Sequence, residues 1–148
     1  MIIKEPDMVE LARSVFDIGL VVRDLEGALS FYRDKLGMTP TRQIPVDEET
    51  ARRGGIAEAP FDIQYLQFGD VNLKLVHFPD APPAGPSGAN GQAGFRYITM
   101  WVKDIQAAYD EWGAKGVDFL SEPIRRTPEL QMVFMRDPEG NLIEILGP

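Results

Sequence analysis

From Asp17 to Val22 the chain alternates. Ile18, Leu20 and Val22 stand on one side, and Asp17, Gly19 and Val21 on the other. A period of two predicts a strand with two unlike faces. Leu25, Ala28, Leu29, Tyr32 and Leu36 then fall on one helical stripe. Asp24 stands where a carboxylate can accept from the free N–H groups of a first helical turn. Gly37 stands where a left-handed residue ends a helix. The pattern predicts a βα unit whose helix lies on the Ile18/Leu20/Val22 face.

The same pattern returns from Arg96 to Asp118, in phase. Ile98, Met100 and Val102 repeat the inner strand face, and Asp104 repeats the cap. Ile105, Ala108, Tyr109 and Trp112 repeat the stripe. Asp104 stands to Asp24 as Ile105 to Leu25 and Trp112 to Tyr32. Two long copies are too few for a solenoid and fit a duplicated module.

Elsewhere the pattern is coarser. Met8, Leu11, Ala12 and Val15 recur at helical spacing, which predicts a short leading helix over Met8–Val15. The polar stretch from Thr39 to Pro60 reads as a strand near Thr41–Pro45 followed by a loop with Arg42, Arg52, Arg53 and Gly54-Gly55. Phe61–Phe68 and Val71–Phe78 read as strands joined by a tight Gly69-Asp70 turn. Residues 79–94 are rich in Pro and Gly and read as a linker. Phe119–Pro128 reads as a strand and loop. Leu130–Arg136 and Asn141–Leu146 read as closing strands joined at Asp137-Pro138-Glu139-Gly140. The expected class is α+β: one domain over 1–148 with two βαβββ modules, about 16–78 and 95–148, two long helices, one short one and eight strands.

The chain has 148 residues and a formal charge of −8. A surplus of acid argues against a nucleic-acid partner, which needs a basic surface. No apolar run approaches the ~20 residues of a membrane helix. The first residues lack a signal-peptide pattern, so a cytoplasmic location is expected. With no cysteine there is no thiolate nucleophile and no sulfur metal site.

The strand followed by DLEGALSFYRDKLGM, and the ending FMRDPEGNLIEILGP, resemble the vicinal oxygen chelate superfamily, the group of glyoxalase I, methylmalonyl-CoA epimerase, extradiol dioxygenases and bleomycin-binding proteins. The resemblance spans Phe16 to Pro148. It implies a cupped mixed sheet, a small-molecule ligand in the cup and a homodimer. It also implies four side chains pointing into the cup, and here these positions carry Asp17, Lys74, Tyr97 and Glu144. The usual set is His, Glu or Gln, His, Glu, and only Glu144 matches it. Lys74 is the decisive departure, because an ammonium has donors only and repels a dication. No metal and no other cofactor are expected. The single histidine, His77, falls on the opposite strand face from Lys74.

Strand alternation adds Gly19, Thr99 and Trp101 to the cup floor. Arg42, Arg52 and Arg53 are candidates to clamp a ligand carboxylate or phosphate. Lys74 is expected to pair with Glu144 or Asp17, since a buried ammonium left alone tends to lose its proton. Three functions follow. One is a metal-independent isomerase or lyase in which a carboxylate takes a proton alpha to a carbonyl and Lys74 or Tyr97 steadies the enolate. The second is a non-catalytic binder of an aromatic or drug-like metabolite. The third is a metal-dependent lyase or dioxygenase with a rearranged ligand set.

Overall fold

The structure, a computed structural model, describes residues 9–86 and 88–148. The first half runs β1 (Ile18–Val21), α1 (Leu25–Leu29), β2 (Thr39–Val46), α2 (Glu48–Arg53), β3 (Phe61–Phe68) and β4 (Val71–His77). The second runs β5 (Tyr97–Trp101), α3 (Ile105–Ala114), β6 (Asp118–Phe119), β7 (Ile124–Thr127), β8 (Leu130–Arg136) and β9 (Leu142–Gly147). Among the described residues there are therefore nine strands rather than eight. The extra one arises because residues 118–127 pair with β8 in two short pieces, β6 and β7.

Each half makes its own sheet, in the orders β1-β4-β3-β2 and β5-β9-β8-β6. In both, the first strand lies parallel to the last, and the remaining pairs are antiparallel. The registers correspond as well. Gly19 stands opposite Lys74, and Thr99 opposite Glu144. Mixed α+β architecture with two such sheets agrees with the expected fold class.

The caps behave as the sequence dictates. Asp24 accepts from the Gly27 N–H (3.1 Å) and Asp104 from the Ala107 N–H (3.0 Å). The first helix does not stay α throughout. From Ser30 to Lys35 it widens to i→i−5 bonding, with the Leu36 N–H donating to the Phe31 carbonyl at 3.0 Å. Gly37 then takes φ +81°, the left-handed stop its position called for.

One buried cluster joins the halves. It contains Val22, Leu29, Phe31, Tyr32, Leu73 and Leu75 from the first, and Met100, Ile105, Trp112, Val133, Met135, Ile143 and Ile145 from the second. Leu73 and Leu75 on β4, and Ile143 and Ile145 on β9, all face this cluster. The alternate residues Lys74 and Glu144 therefore face away from it, on what we call the open face of each sheet.

Two expectations change. Residues 9–15 form no helix, and Met8 lies outside the described residues. A segment so short cannot nucleate a helix without a surface to pack on, and Val9 and Leu11 are exposed. Conversely, the stretch read as loop after β2 contains α2. Asp47 caps it by accepting from the Thr50 N–H at 2.8 Å. Its buried residue Ala51 packs with Phe61 and Val76 on the open face of the first sheet, in a second small core.

Candidate functional site

The open face carries two matching rows of registered residues. Tyr65 on β3, Lys74 on β4 and Gly19 on β1 lie side by side in the first sheet. Phe134 on β8, Glu144 on β9 and Thr99 on β5 lie side by side in the second. Each row runs aromatic, charged, small. The charges are opposite. Strand pairing at ~4.8 Å spacing keeps the members of each row in contact.

The small ends of the rows lie along the seam between β1 and β5, Gly19 on one crevice and Thr99 on another. Ile18, Gly19 and Leu20 line a crevice of about 150 Å³ together with Tyr97, Ile98 and Leu142. A second crevice, about 160 Å³, is lined by Ile18 and Leu73 with Thr99, Met100 and Trp101. A Cβ added at Gly19 would meet nothing within 4 Å, so the floor there is open. A larger hollow, about 330 Å³, lies elsewhere, between linker residues 82–86 and the Glu139–Leu142 turn. Neither Lys74 nor Glu144 lines any of the three, but the seam crevices carry their register neighbours Gly19 and Thr99, which makes the seam the better candidate.

Glu144 is half-buried, and its Oε1 accepts from the Thr99 hydroxyl at 2.8 Å. Among the described residues no cation lies within ion-pair distance of it. Tyr97 packs edge-on against Phe134, with ring centroids 5.5 Å apart, and is still 51% exposed. Trp101, four residues on along the same strand face, is 68% exposed.

Lys74 does not make the expected ion pair. Its Nζ lies 5.5 Å from the centroid of the Tyr65 ring, and no carboxylate is within ion-pair distance among the described residues. Asp17 is held by nearer groups. Its Oδ1 accepts from the Arg13 guanidinium at 2.7 Å, and from the backbone and side-chain N–H groups of Asn72 at 3.2 Å each. The reason is register: Ile18 pairs with Leu73, which sets Asn72 opposite Asp17 and moves Lys74 up to Gly19. Desolvation alone would push the Asp17 carboxyl up, but the Asn72 and Arg13 bonds outweigh it and hold it below the ordinary carboxylate range.

The three arginines separate. Arg42, at a bulge in β2, stacks its guanidinium 4.3 Å from the centroid of Tyr65. Arg52 pairs with Glu48 (3.0 Å) and Glu58 (3.2 Å), and Arg53 with Glu49 (3.7 Å). Those two are thus engaged with carboxylates close in sequence, two of them on α2 itself. Sequence reasoning overlooked Tyr65 and Phe134. Their central places in β3 and β8, opposite Lys74 and Glu144, were the available signal.

It also overlooked the one buried charged side chain among the described residues. Asp137 is 5% exposed. It accepts from the Tyr32 hydroxyl (2.6 Å), the Asn141 side chain (3.0 Å), and the Glu139 and Asn141 N–H groups (2.9 and 2.8 Å). These bonds tie the last turn of the second half to the first helix. They hold architecture together, and two of the donors, Tyr32 and Asn141, also line the seam crevice of about 150 Å³.

A family model described as the glyoxalase/bleomycin resistance protein/dioxygenase superfamily matches residues 14–145. The chain belongs to that superfamily. It is 26% identical to human mitochondrial methylmalonyl-CoA epimerase over 133 residues, covering 86% of this chain and 70% of that one. It is 27% identical over 154 aligned residues to a lactoylglutathione lyase of Pseudomonas aeruginosa, covering 96% and 86%. Among solved structures, a glyoxalase family protein from Bacillus cereus superposes with TM-score 0.77 at 20% identity, covering 95% and 96%. The trypanothione-dependent glyoxalase I of Leishmania major gives 0.65 at 22% identity, covering 92% and 87%.

The superfamily resemblance implies a divalent metal at Asp17, Lys74, Tyr97 and Glu144, and the donor set argues against it. One position is an ammonium, and one carboxylate is already bonded to an arginine and an asparagine. No group of three His, Cys, Asp or Glu side chains gathers anywhere among the described residues. No helix among them is long and apolar enough to cross a membrane.

Proposed function

We propose that this superfamily member is a small-molecule isomerase or lyase that moves a proton alpha to a carbonyl without a divalent metal. The observation that carries the reading is Glu144, a half-buried carboxylate held at 2.8 Å by the Thr99 hydroxyl and otherwise unpaired among the described residues, on an open face beside a crevice. A base must be oriented yet keep an oxygen for the substrate. Thr99 orients one oxygen of Glu144. Among the described residues its Oε2 has no donor and no cation pairs with it. Lys74 and Tyr97 then supply donors for the developing enolate oxygen, the task a metal ion performs by Lewis acidity in other enzymes. Asp17, bonded to Arg13 and Asn72, shapes the end of β1 and takes no proton. Gly19, Thr99 and Trp101 form the floor, and Arg42 flanks it. Arg52 and Arg53 would reach a ligand only by giving up their α2 partners.

The relatives catalyse reactions of the kind their names state, an epimerase and a lyase. This supports proton transfer over passive binding. The test is deuterium exchange. Methylmalonyl-CoA, lactoylglutathione and a panel of simple α-carbonyl acids and thioesters are incubated with the protein and excess chelator in heavy water. Proton NMR then follows the signal alpha to the carbonyl. Exchange in the wild type, lost in Glu144→Gln, is expected. Exchange that survives Glu144→Gln, or that needs an added metal, sinks the proposal. Ligand binding with no exchange across the panel points to the second reading, a binding protein, for which the exposed Tyr97 and Trp101 rings speak.

The proposal extends to organisation: one domain with two modules, forming a homodimer. The shared buried cluster supports the first, and the exposed Phe16 and Phe95 the second. A monomeric mass in sedimentation at micromolar concentration would remove the dimer.

A further inference from the structure

Resting on the seam as the ligand site, we infer that its ligand is an organic carboxylate, bound by Arg42 and Lys74, the two cations that approach the Tyr65 ring. Three observations converge. Arg42 and Lys74 lie 4.3 and 5.5 Å from the centroid of one tyrosine ring. Neither has a carboxylate within ion-pair distance among the described residues, although the chain carries 23 acidic against 15 basic residues. Among the described residues Arg13, Arg33, Arg52, Arg53 and Lys115 do have such a partner; other basic residues, Arg126 among them, do not, so the shared ring is what sets Arg42 and Lys74 apart.

The energetics favour an incoming anion. Two like charges gathered at one ring repel, and a cation–π contact at a partly exposed site returns only about 0.5–1 kcal/mol each. A carboxylate set between them relieves the repulsion and accepts charge-assisted hydrogen bonds from both. The planar guanidinium fork of Arg42 suits a carboxylate better than a point charge would. The ring fixes Arg42 in place, so little side-chain entropy is lost on binding.

Position makes this a specificity device. Lys74 and Gly19 are adjacent in one row, and Gly19 opens onto the seam. A ligand anchored by its carboxylate at Lys74 and Arg42 extends over Gly19, the residue without a side chain. There it meets Tyr97 and Thr99, with Glu144 the next residue along. The cationic row holds the anionic end while the acidic row faces the C–H to be deprotonated. The two rows thus do different work although they occupy equivalent places in the two sheets.

The probe pair is 2-naphthoate and its neutral isostere 2-naphthamide, titrated into the full chain by calorimetry. Naphthoate is expected to bind at least about tenfold more tightly, the return of one good charge-assisted contact. Raising the ionic strength should narrow the gap. The double variant Arg42→Gln/Lys74→Met should bind the two compounds alike, and Arg126→Ala, on β7 and outside both rows, should keep the wild-type ratio. Circular dichroism melts of each variant report folding. Should the double variant unfold, the single changes Arg42→Lys and Lys74→Gln give the same comparison. Equal affinity of wild type for acid and amide, an unchanged ratio in the double variant, or binding of neither compound overturns the inference. Equal affinity alongside Glu144-dependent deuterium exchange would reject the carboxylate anchor and leave the proton-transfer reading standing. Loss of exchange in every arm would reject that reading instead.

Discussion

The Tyr32 hydroxyl and Asp137 Oδ2 lie 2.6 Å apart, joining the first helix to the final turn of the chain. Both residues are buried, and they are more than a hundred positions apart in sequence. In the same region the Arg23 N–H donates to the Glu139 carboxylate at 2.6 Å. The two halves are therefore bonded to each other by polar groups as well as by the shared core. Tyr32→Phe removes the hydroxyl and keeps the ring. Asp137 retains three N–H donors, so the expected loss is about 1–3 kcal/mol in urea unfolding, the range for a charged hydrogen bond. A change below a few tenths of a kcal/mol would mean that water or another group replaces the hydroxyl.

The same pair makes stability fall at high pH. Burial, then the Asp137 charge beside it, pushes the Tyr32 phenol well above its usual value near 10. The folded state therefore holds this proton more tightly than the unfolded state. Its contribution is complete below about pH 10 and is lost as pH rises from there through the raised folded-state value. Unfolding followed between pH 8 and 11.5 should show wild type losing stability faster than Tyr32→Phe above about 10, with parallel behaviour below it. Parallel curves throughout would show that the phenol is not buried in its neutral form.

The helix α2 offers a sharper test of local physics. Asp47 caps it, Glu48 and Glu49 occupy its first turn, and Arg52 and Arg53 its last. Every charge suits the helix dipole, and the acids and bases pair one turn apart. Asp47→Ala is expected to cost about 0.5–2 kcal/mol. It should also loosen the cover that Ala51 makes over Val76, visible as faster amide exchange across 48–54. Retained protection there would assign the helix's stability to packing alone.

That helix shows where the sequence could be read and where it could not. DEETARRGG contains a cap, a dipole pattern and a stop, yet it has one buried residue and so no apolar stripe to announce it. The long elements announced themselves because they bury a face: Leu29 and Tyr32 on one helix, Ile105 and Trp112 on another. The family resemblance named Lys74 and Glu144, and the structure sets the two at equivalent registers on the open faces of their sheets. Their partners did not follow from the resemblance. Whether Lys74 meets Glu144 or Tyr65 depends on cross-strand register and on the spacing of two sheets, and no local period encodes either. Asp17 was taken by Arg13, four residues away, and by Asn72 across the register. The Tyr32–Asp137 bond was hidden for the same reason: both residues already had local roles, one in a helical stripe and one in a turn.

Gly147 marks a close approach that has nothing to do with backbone freedom. A Cβ there would collide with the Val102 carbonyl oxygen and sit 3.2 Å from its Cγ2. The neighbouring Val102 N–H donates to the Leu146 carbonyl at 2.9 Å, so the end of β9 and the exit of β5 cannot part without losing that bond. Gly147→Ala should destabilise by about 1–3 kcal/mol, as overpacking does. A neutral result in thermal unfolding would show that this strand end gives way freely.

Thr99 decides whether Glu144 is oriented for chemistry or merely present. Threonine and valine have nearly the same shape, so Thr99→Val removes the 2.8 Å bond to Glu144 while keeping the β-branched packing of β5. Thr99 is exposed and its hydroxyl can be replaced by water in the variant, so stability should change by under about 1 kcal/mol. The carboxylate, however, gains freedom to rotate away from its productive pose, and misplacement of a catalytic group costs rate more than binding. For a substrate found by deuterium exchange, Thr99→Val is expected to lower kcat about tenfold with KM little changed. Thr99→Ser, which restores the hydroxyl, should recover most of the rate. A variant whose KM rises while kcat holds would place Thr99 in ligand binding and leave Glu144 without a positioning partner.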